Sequence, residues 1–311
     1  MFAISTSWNS SRHTEGENMV DELKELGFRQ IELGHGIRVS QIEGVLKRVE
    51  KRKIQVMSLH NFCPMPVEIM GDSPDCYTFT SHRETDRKRA IKLTFQTIDY
   101  AQRLGAKYVV LHGGTVPMKD YTTPLLEMVA QGELNTKHYA ALKIEALAER
   151  WKQGKFYVER TVEALKAICD YAGERGVKLG LESRDTIEHI PFETEFDDIF
   201  DAVGAPNLGY WHDWGHTHIK HNLSLLDHRQ WLERWGPRAF GSHIQDVIWP
   251  DHDHRAPFMG EIDFDTLMPL LAPDAHRVWE LSPRIKKADL LACKETWDAK
   301  FELPQPEPVE A

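Results

Sequence analysis

The sequence predicts an α/β protein built as one (β/α)8 barrel. Two observations lead there. Short runs that are apolar on both faces recur eight times, and an amphipathic, helix-like run follows each. Strands of that kind belong in a parallel sheet covered on both sides, and eightfold alternation with helices fits closure into a barrel. A third observation concerns chemistry: seven consecutive strand-like runs end in Glu, Asp or His.

The first strand is read at residues 2–8. The helix after it, 19–26, stops at Gly27, a residue suited to the left-handed position past a helix end. The second strand, 30–33, leads to a helix at 41–53 capped by Ser40, with Glu43 completing a capping box. The third strand covers 54–60. Its helix, 87–104, carries Ile91, Phe95, Ile98 and Ala101 on one face and stops at Gly105. The fourth strand covers 107–112, and the helix at 158–172 aligns Val158, Val162, Leu165, Ile168 and Cys169. Strands five to eight are read at 178–182, 208–213, 239–244 and 277–281. Helices at 194–203, 225–235, 265–271 and 287–300 complete the set.

A barrel of this kind takes about 250 residues, so a chain of 311 carries extra material. Residues 63–82, after strand three, and 115–155, after strand four, are the insertions. The second is helix-rich and polar, suited to a lid or an oligomer contact. Residues 1–301 are read as a single barrel domain. Residues 302–311, with Pro304, Pro306 and Pro308, read as a disordered tail.

Composition excludes several function classes. Thirty-eight basic against forty-eight acidic residues leave a net charge of −10, which disfavours a broad nucleic-acid interface. No stretch approaches the roughly 18 apolar residues that span a bilayer. The N-terminus lacks a basic region and a sustained apolar core, so no signal peptide is read. Cys63, Cys76, Cys169 and Cys293 have no metal-like spacing, and four scattered thiols suit a reducing, cytoplasmic compartment.

In this fold the chemistry sits on residues that end strands. Those residues are Glu32, His60, His112, Glu182, Asp213, His243 and Glu280, with His216 three positions after Asp213. Glu, Asp and His make up about a sixth of an average chain, so chance would place about one or two there. Bare carboxylates in a barrel mouth are costly, and a divalent cation is their natural counter-charge. Mixed carboxylate and imidazole donors suit manganese, zinc or cobalt. His252 and His254, in the loop after strand seven, offer two further ligands. Blander readings stand beside each residue. Glu182 and Glu280 are also placed to pair with Arg184 and Arg284. Glu32 suits a ligand, a substrate hydrogen bond or a structural ion pair. Asp251 and Asp253 read as solvated loop charges. His212 alternates away from Asp213, toward the helix layer.

At these residues the chain resembles the xylose-isomerase-like TIM-barrel superfamily, which holds sugar isomerases and epimerases and the endonuclease-IV-type enzymes. The resemblance runs to about Phe301. It is carried by Val110-Leu111-His112-Gly113, Leu179-Gly180-Leu181-Glu182, Asp213-Trp214-Gly215-His216, and Ser242-His243 through Gly260-Glu261-Ile262-Asp263-Phe264. The epimerase branch implies one divalent metal on Glu182, Asp213, His243 and Glu280, with Glu182 and Glu280 moving protons through an enediolate. The endonuclease branch implies up to three metals, with His60, His112, His216, His252 and His254 added. That branch has Asp-x-His where this chain has His252-Asp253-His254. Barrels of this group are often dimers or tetramers, so the resemblance also implies a homo-oligomer.

The favoured reading is a metal-dependent isomerase or epimerase of a keto sugar or related polyol. Glu182 and Glu280 are its catalytic residues, and Glu32, Arg184 and Trp8 its substrate contacts. The alternatives are a phosphodiesterase with a polynuclear centre, a metal-dependent lyase or hydrolase of modified sugars, and a non-enzymatic binding protein. Acidic rim residues Glu68, Asp72, Asp75, Asp251 and Asp253 would repel duplex phosphates and tolerate a neutral carbohydrate.

Overall fold

The computed structural model describes residues 2–71 and 73–301. In chain order the elements begin β1 (Ala3–Ser5), α1 (Gly16–Glu25), β2 (Gln30–Leu33), α2 (Val39–Glu50), β3 (Gln55–His60) and α3 (Glu84–Leu104). Next come β4 (Tyr108–Leu111), β5 (Gly114–Thr115), α4 (Thr122–Ala130), α5 (Lys137–Gly173), β6 (Lys178–Glu182) and β7 (His189–Ile190). They are followed by α6 (Phe196–Val203), β8 (Leu208–Asp213), α7 (Trp214–Asn222), α8 (His228–Trp235), β9 (Ala239–Ile244) and β10 (Asp246–Ile248). The last are β11 (His252–Arg255), α9 (Phe264–Leu267), β12 (His276–Trp279) and α10 (Lys287–Phe301).

Eight parallel strands close into a barrel in the order β1-β12-β9-β8-β6-β4-β3-β2. The expected (β/α)8 TIM barrel is therefore the fold, with all eight expected strands in it. The two insertions also fall where expected. One is the loop between β3 and α3. The other comprises β5, α4 and the first half of α5. Residues 302–311 lie outside the described residues. No helix among the described residues is long and apolar enough to cross a membrane.

Some local expectations change. The fourth helix does not start at 158: α5 runs back through the insertion as one helix of 37 residues, capped by Thr136, whose hydroxyl accepts from the Tyr139 N–H. The second helix starts at Val39, and Arg38 rather than Ser40 precedes it. The Arg38 N–H donates to Gln41 Oε1 at 2.8 Å, so Gln41 plays the part assigned to Glu43. The end of α3 is as read, with Gly105 at φ +71°, a backbone conformation that costs glycine nothing.

The apolar residues divide into two cores. The larger lies between barrel and helices. The smaller fills the barrel itself with Ala3, Val110, Trp211 and Val278, and Tyr108 packs against it. Trp211 is fully buried and dominates this layer. Its indole fits because the two strands flanking β8 present glycine: a Cβ on Gly180 would lie 2.6 Å from Trp211 Cε3, and one on Gly241 2.3 Å from Cζ3. The ring meets His243 edge to face at 5.3 Å, so Trp211 is the floor on which the strand-end residues stand. Alternation along β8 then turns Asp213 into the barrel mouth and His212 outward, 3.2 Å from His228 of α8.

Overpacking this floor should be costly. Gly241→Val should destabilise the fold by about 1–3 kcal/mol, seen as a lower urea midpoint at unchanged slope. An unchanged midpoint would show that Trp211 is not wedged between the glycines.

Candidate metal centre

Above Trp211 the strand ends turn four carboxylates inward. Glu32, Glu182 and Asp213 are fully buried and Glu280 is 3% exposed. The barrel register sets Asp213 beside His243, on adjacent strands β8 and β9. His243 Nδ1 lies 2.9 Å from Glu182 Oε1, 3.3 Å from Glu280 Oε2 and 3.8 Å from Asp213 Oδ2. Its other nitrogen, Nε2, lies 3.2 Å from Glu32 Oε2, which also accepts from Ser58 Oγ at 2.8 Å.

The other imidazoles repeat this arrangement of one anchored nitrogen and one aimed inward. His60 Nδ1 is 3.0 Å from the Asn61 carbonyl, and its Nε2 is 3.4 Å from Glu182 Oε2. His112 Nδ1 is held by both oxygens of Asp75, at 2.9 and 3.0 Å, and its Nε2 lies 2.9 Å from Glu182 Oε2. His216 Nδ1 is 3.1 Å from the Ser183 carbonyl, with Nε2 4.0 Å from Asp253 Oδ2. His254 Nδ1 is 3.3 Å from the Glu280 carbonyl, with Nε2 3.6 Å from Asp253 Oδ2. An outer oxygen holding one ring nitrogen orients the imidazole and leaves the other nitrogen facing the centre. Metal-binding histidines are supported in this way.

The inward donor atoms form groups whose members all lie within 4.8 Å of one another: Glu182, Asp213, His243 and Glu280; His60, His112 and Glu182; and His216, Asp253 and His254. A further group of that kind joins His60, His243 and Glu280. Glu182 bridges the first two groups, with one oxygen toward each. The Asp-x-x-His spacing has a local cause. Asp213 caps α7, accepting from the His216 N–H at 2.7 Å, and His216 thereby stands in the first turn, over the site.

The electrostatics express an excess of buried negative charge. Burial pushes the Asp213 carboxyl up to about 6; His216 opposes this, and the charges of Glu182 and Glu280 add to it. Burial would raise Glu280 too, but His243, His254 and His60 outweigh it and hold the group at about 2. Burial disfavours charge on His243, yet Glu280, Glu32 and Glu182 together drive its pKa well above the usual imidazole value. Four carboxylates thus lean on one imidazole. One buried oxygen, Glu32 Oε1, has no hydrogen-bond partner, and Glu182 Oε2 faces only the nitrogens of His112 and His60, at 2.9 and 3.4 Å, and of Arg184, at 3.6 Å. A hard, doubly charged cation fits what this donor set lacks.

Of the residues singled out from sequence, Trp8 and His252 stand away from the centre, while Glu32 and Arg184 lie within it. Trp8 is 1% exposed, and its indole N–H donates to the Ile285 carbonyl at 2.9 Å, so it packs in the core and presents no face to a sugar. Glu32 touches Ser58 and His243, not a cavity; its buried position makes it a support for His243. Arg184 lies inside the site, against His112, Glu182 and Asp75. His252 points outward, its side chain 63% exposed and 3.5 Å from Asp251, while Asp253 joins His216 and His254. The reason is a bulge. Asp246 pairs with Arg255 and Ile248 with His252, which leaves one extra residue in β11, and His254 takes φ +51°. The bulge breaks strand alternation and turns neighbours 253 and 254 to one side. Asp75, read only as an acidic rim charge, and Gln245, not read at all, also belong to the centre. Gln245 Nε2 donates to both oxygens of Asp213, at 3.0 and 2.8 Å, and Gln245 Oε1 accepts from the His254 N–H. A glutamine two residues past His243 carried no signal beyond its inward parity.

Residues 20–289 match the family model described as xylose isomerase-like TIM barrel. The chain belongs to that family. Among curated proteins, the uncharacterized protein y4fM of Sinorhizobium fredii is 25% identical over 293 residues, covering 88% of this chain and 83% of the relative. Among solved structures, a D-tagatose 3-epimerase-like protein superposes with a TM-score of 0.66 at 17% identity, over 97% of each chain. The 3-keto-D-glucoside 4-epimerase from E. coli gives 0.69 at 14%, over 96% of this chain and 98% of that one. An L-ribulose 3-epimerase gives 0.62 at 16%, over 100% and 89%. At these identities the solved structures establish a shared fold.

Within this xylose isomerase-like barrel, Gln245 is the test of how far outer hydrogen bonds prepare the centre. Gln245→Ala should weaken divalent-metal binding about 10- to 100-fold, measured by competition with a chromogenic chelator. Unchanged affinity would mean that Asp213 needs no support.

Proposed function

We propose that this protein is a metal-dependent sugar isomerase or epimerase, acting on a keto sugar by proton transfer between Glu182, Glu280 and a carbon next to the carbonyl. One observation carries the reading: Glu182, Asp213, His243 and Glu280 bring donor atoms within 4.8 Å of one another, with the Glu182 and Glu280 carboxylates both against His243 Nδ1. Solved structures of matching fold include proteins named as a 3-keto-D-glucoside 4-epimerase and an L-ribulose 3-epimerase, which supports the same class.

Glu182, Asp213, His243 and Glu280 would hold the cation, of which manganese, zinc and cobalt suit the donors. Bound there, the metal would stabilise negative charge developing on a substrate oxygen. The protein's own groups supply the rest. Glu280, held at about 2, is ionised at neutral pH and able to accept a proton. Glu182 is likewise held well below its ordinary value by His243, His112 and His60, against burial. A proton removed by one carboxylate and returned from the other side inverts a carbon through an enediolate. His243, steadied by Glu32 and Trp211, keeps both carboxylates in place.

Two cavities flank the centre. One, of about 390 Å³, is lined by Ser7, His35, Arg255, Glu280 and Arg284. The other, of about 480 Å³, is lined by Met118, Thr122, Leu126, Asp185 and Ile219. Both suit a small carbohydrate and are too small for a duplex. One specific observation favours a second reading, a polynuclear phosphodiesterase: the bridging of two donor groups by Glu182, with a third group at His216, Asp253 and His254. Net charge weighs against a nucleic-acid substrate.

A chelator should abolish turnover of a ketohexose panel, and Mn²⁺ or Co²⁺ should restore it. Glu182→Gln and Glu280→Gln should each lower turnover by about 10²–10⁴-fold, with solvent-deuterium incorporation falling in parallel. Full proton exchange in both variants would refute the carboxylate roles.

A further inference from the structure

We propose that the Arg184 guanidinium is this chain's resident cation at the group formed by His60, His112 and Glu182, so that no metal binds there. The proposal deepens the reading above, since it sets which donor groups of the centre take metal and which do not.

The geometry places a charge against two of that group's three donors. Arg184 Nη1 lies 2.5 Å from His112 Nε2 and 3.6 Å from Glu182 Oε2. Its Nη2 lies 3.6 Å from Asp75 Oδ2 and 3.9 Å from Asp185 Oδ1. The side chain is 8% exposed, so this is a built position and not a passing surface contact. His112 Nδ1 is held by Asp75, and its Nε2 faces Glu182 Oε2 at 2.9 Å and Arg184 Nη1 at 2.5 Å. A metal on that nitrogen would have to displace the guanidinium. Arginine does not deprotonate in proteins, so its charge does not yield as a lysine's would.

The arrangement is sequence-encoded. Glu182 and Arg184 are two residues apart at the end of β6, and period-two alternation turns both side chains inward. Asp75 comes from the insertion after β3 and completes the clamp from the other side. The first insertion therefore has a chemical part: its carboxylate holds both His112 and the cation that occupies it. Among the described residues, Arg184 is the one Lys or Arg within 4 Å of Glu32, Glu182, Asp213 or Glu280. A fixed positive charge there removes the metal pair that a bridging Glu182 would otherwise build, and with it the two-metal clamp on which phosphodiester displacement depends.

Metal counting tests this. The purified protein would be stripped, reloaded with Zn²⁺, desalted and analysed by mass spectrometry for zinc per chain. Arg184→Ala should hold one zinc more than the unaltered protein. Arg184→Lys, which keeps a cation, should hold no more. His112→Ala in the otherwise unaltered protein should lose no zinc, a result that does not depend on the Arg184 variants folding. Loss of one equivalent in His112→Ala, or no gain in a folded Arg184→Ala, overturns the proposal and leaves the main centre standing. An unaltered protein that takes up no zinc overturns the main centre and the proposal together.

Discussion

The molecule is organised around an unbalanced charge. Glu32, Glu182, Asp213 and Glu280 are buried together, and His243 stands among them. Burying one carboxylate without a partner costs several kcal/mol, and four in one chamber are tolerable only with positive charge between them. His243 supplies part of it, Arg184 another part. Two cationic groups among four buried carboxylates leave the charge unbalanced, and Glu32 Oε1 has no hydrogen-bond partner. Most other features of the rim follow from the need to hold these groups still while they wait for a cation.

That holding is done by ordinary means. Trp211 fills the barrel under His243, and glycines on the flanking strands make room for it. Each inward histidine gives its outer nitrogen to an oxygen: Asn61, Asp75, Ser183 and Glu280 by turns, and Glu32 for His243. Helix α7 starts on Asp213 itself, so a ligand carboxylate doubles as a cap and places His216. The chemistry of the site and the folding of its walls use the same atoms.

How much of this was legible in the sequence depends on what enforces it. Parallel strands buried on both faces read as apolar runs, so the eight strands stood out. Once strands were placed, the rule that chemistry sits at their C-terminal ends picked out Glu32, His60, His112, Glu182, Asp213, His243 and Glu280, and the family resemblance narrowed these to Glu182, Asp213, His243 and Glu280. Parity along β8 sorted His212 from Asp213. Less was legible where no period acts. Asp75 lies in an irregular insertion, and only the folded chain brings it to His112. The β11 bulge reversed His252 and Asp253, because alternation fails at an extra residue. Trp8, read as a candidate sugar platform, is a core residue because its indole N–H finds a carbonyl inside. Helix α7 is buried almost all round, so it showed no amphipathic stripe and was not read as a helix.

The central claim is that carboxylates and one imidazole from neighbouring strands meet on a bound divalent cation. Anomalous scattering from crystals grown with Mn²⁺ locates such an ion directly. The account predicts a single strong peak within bonding distance of His243 Nδ1 and of oxygens from Glu182, Asp213 and Glu280. Crystals saturated with manganese but with no peak at that point, and the four side chains turned apart, would contradict it.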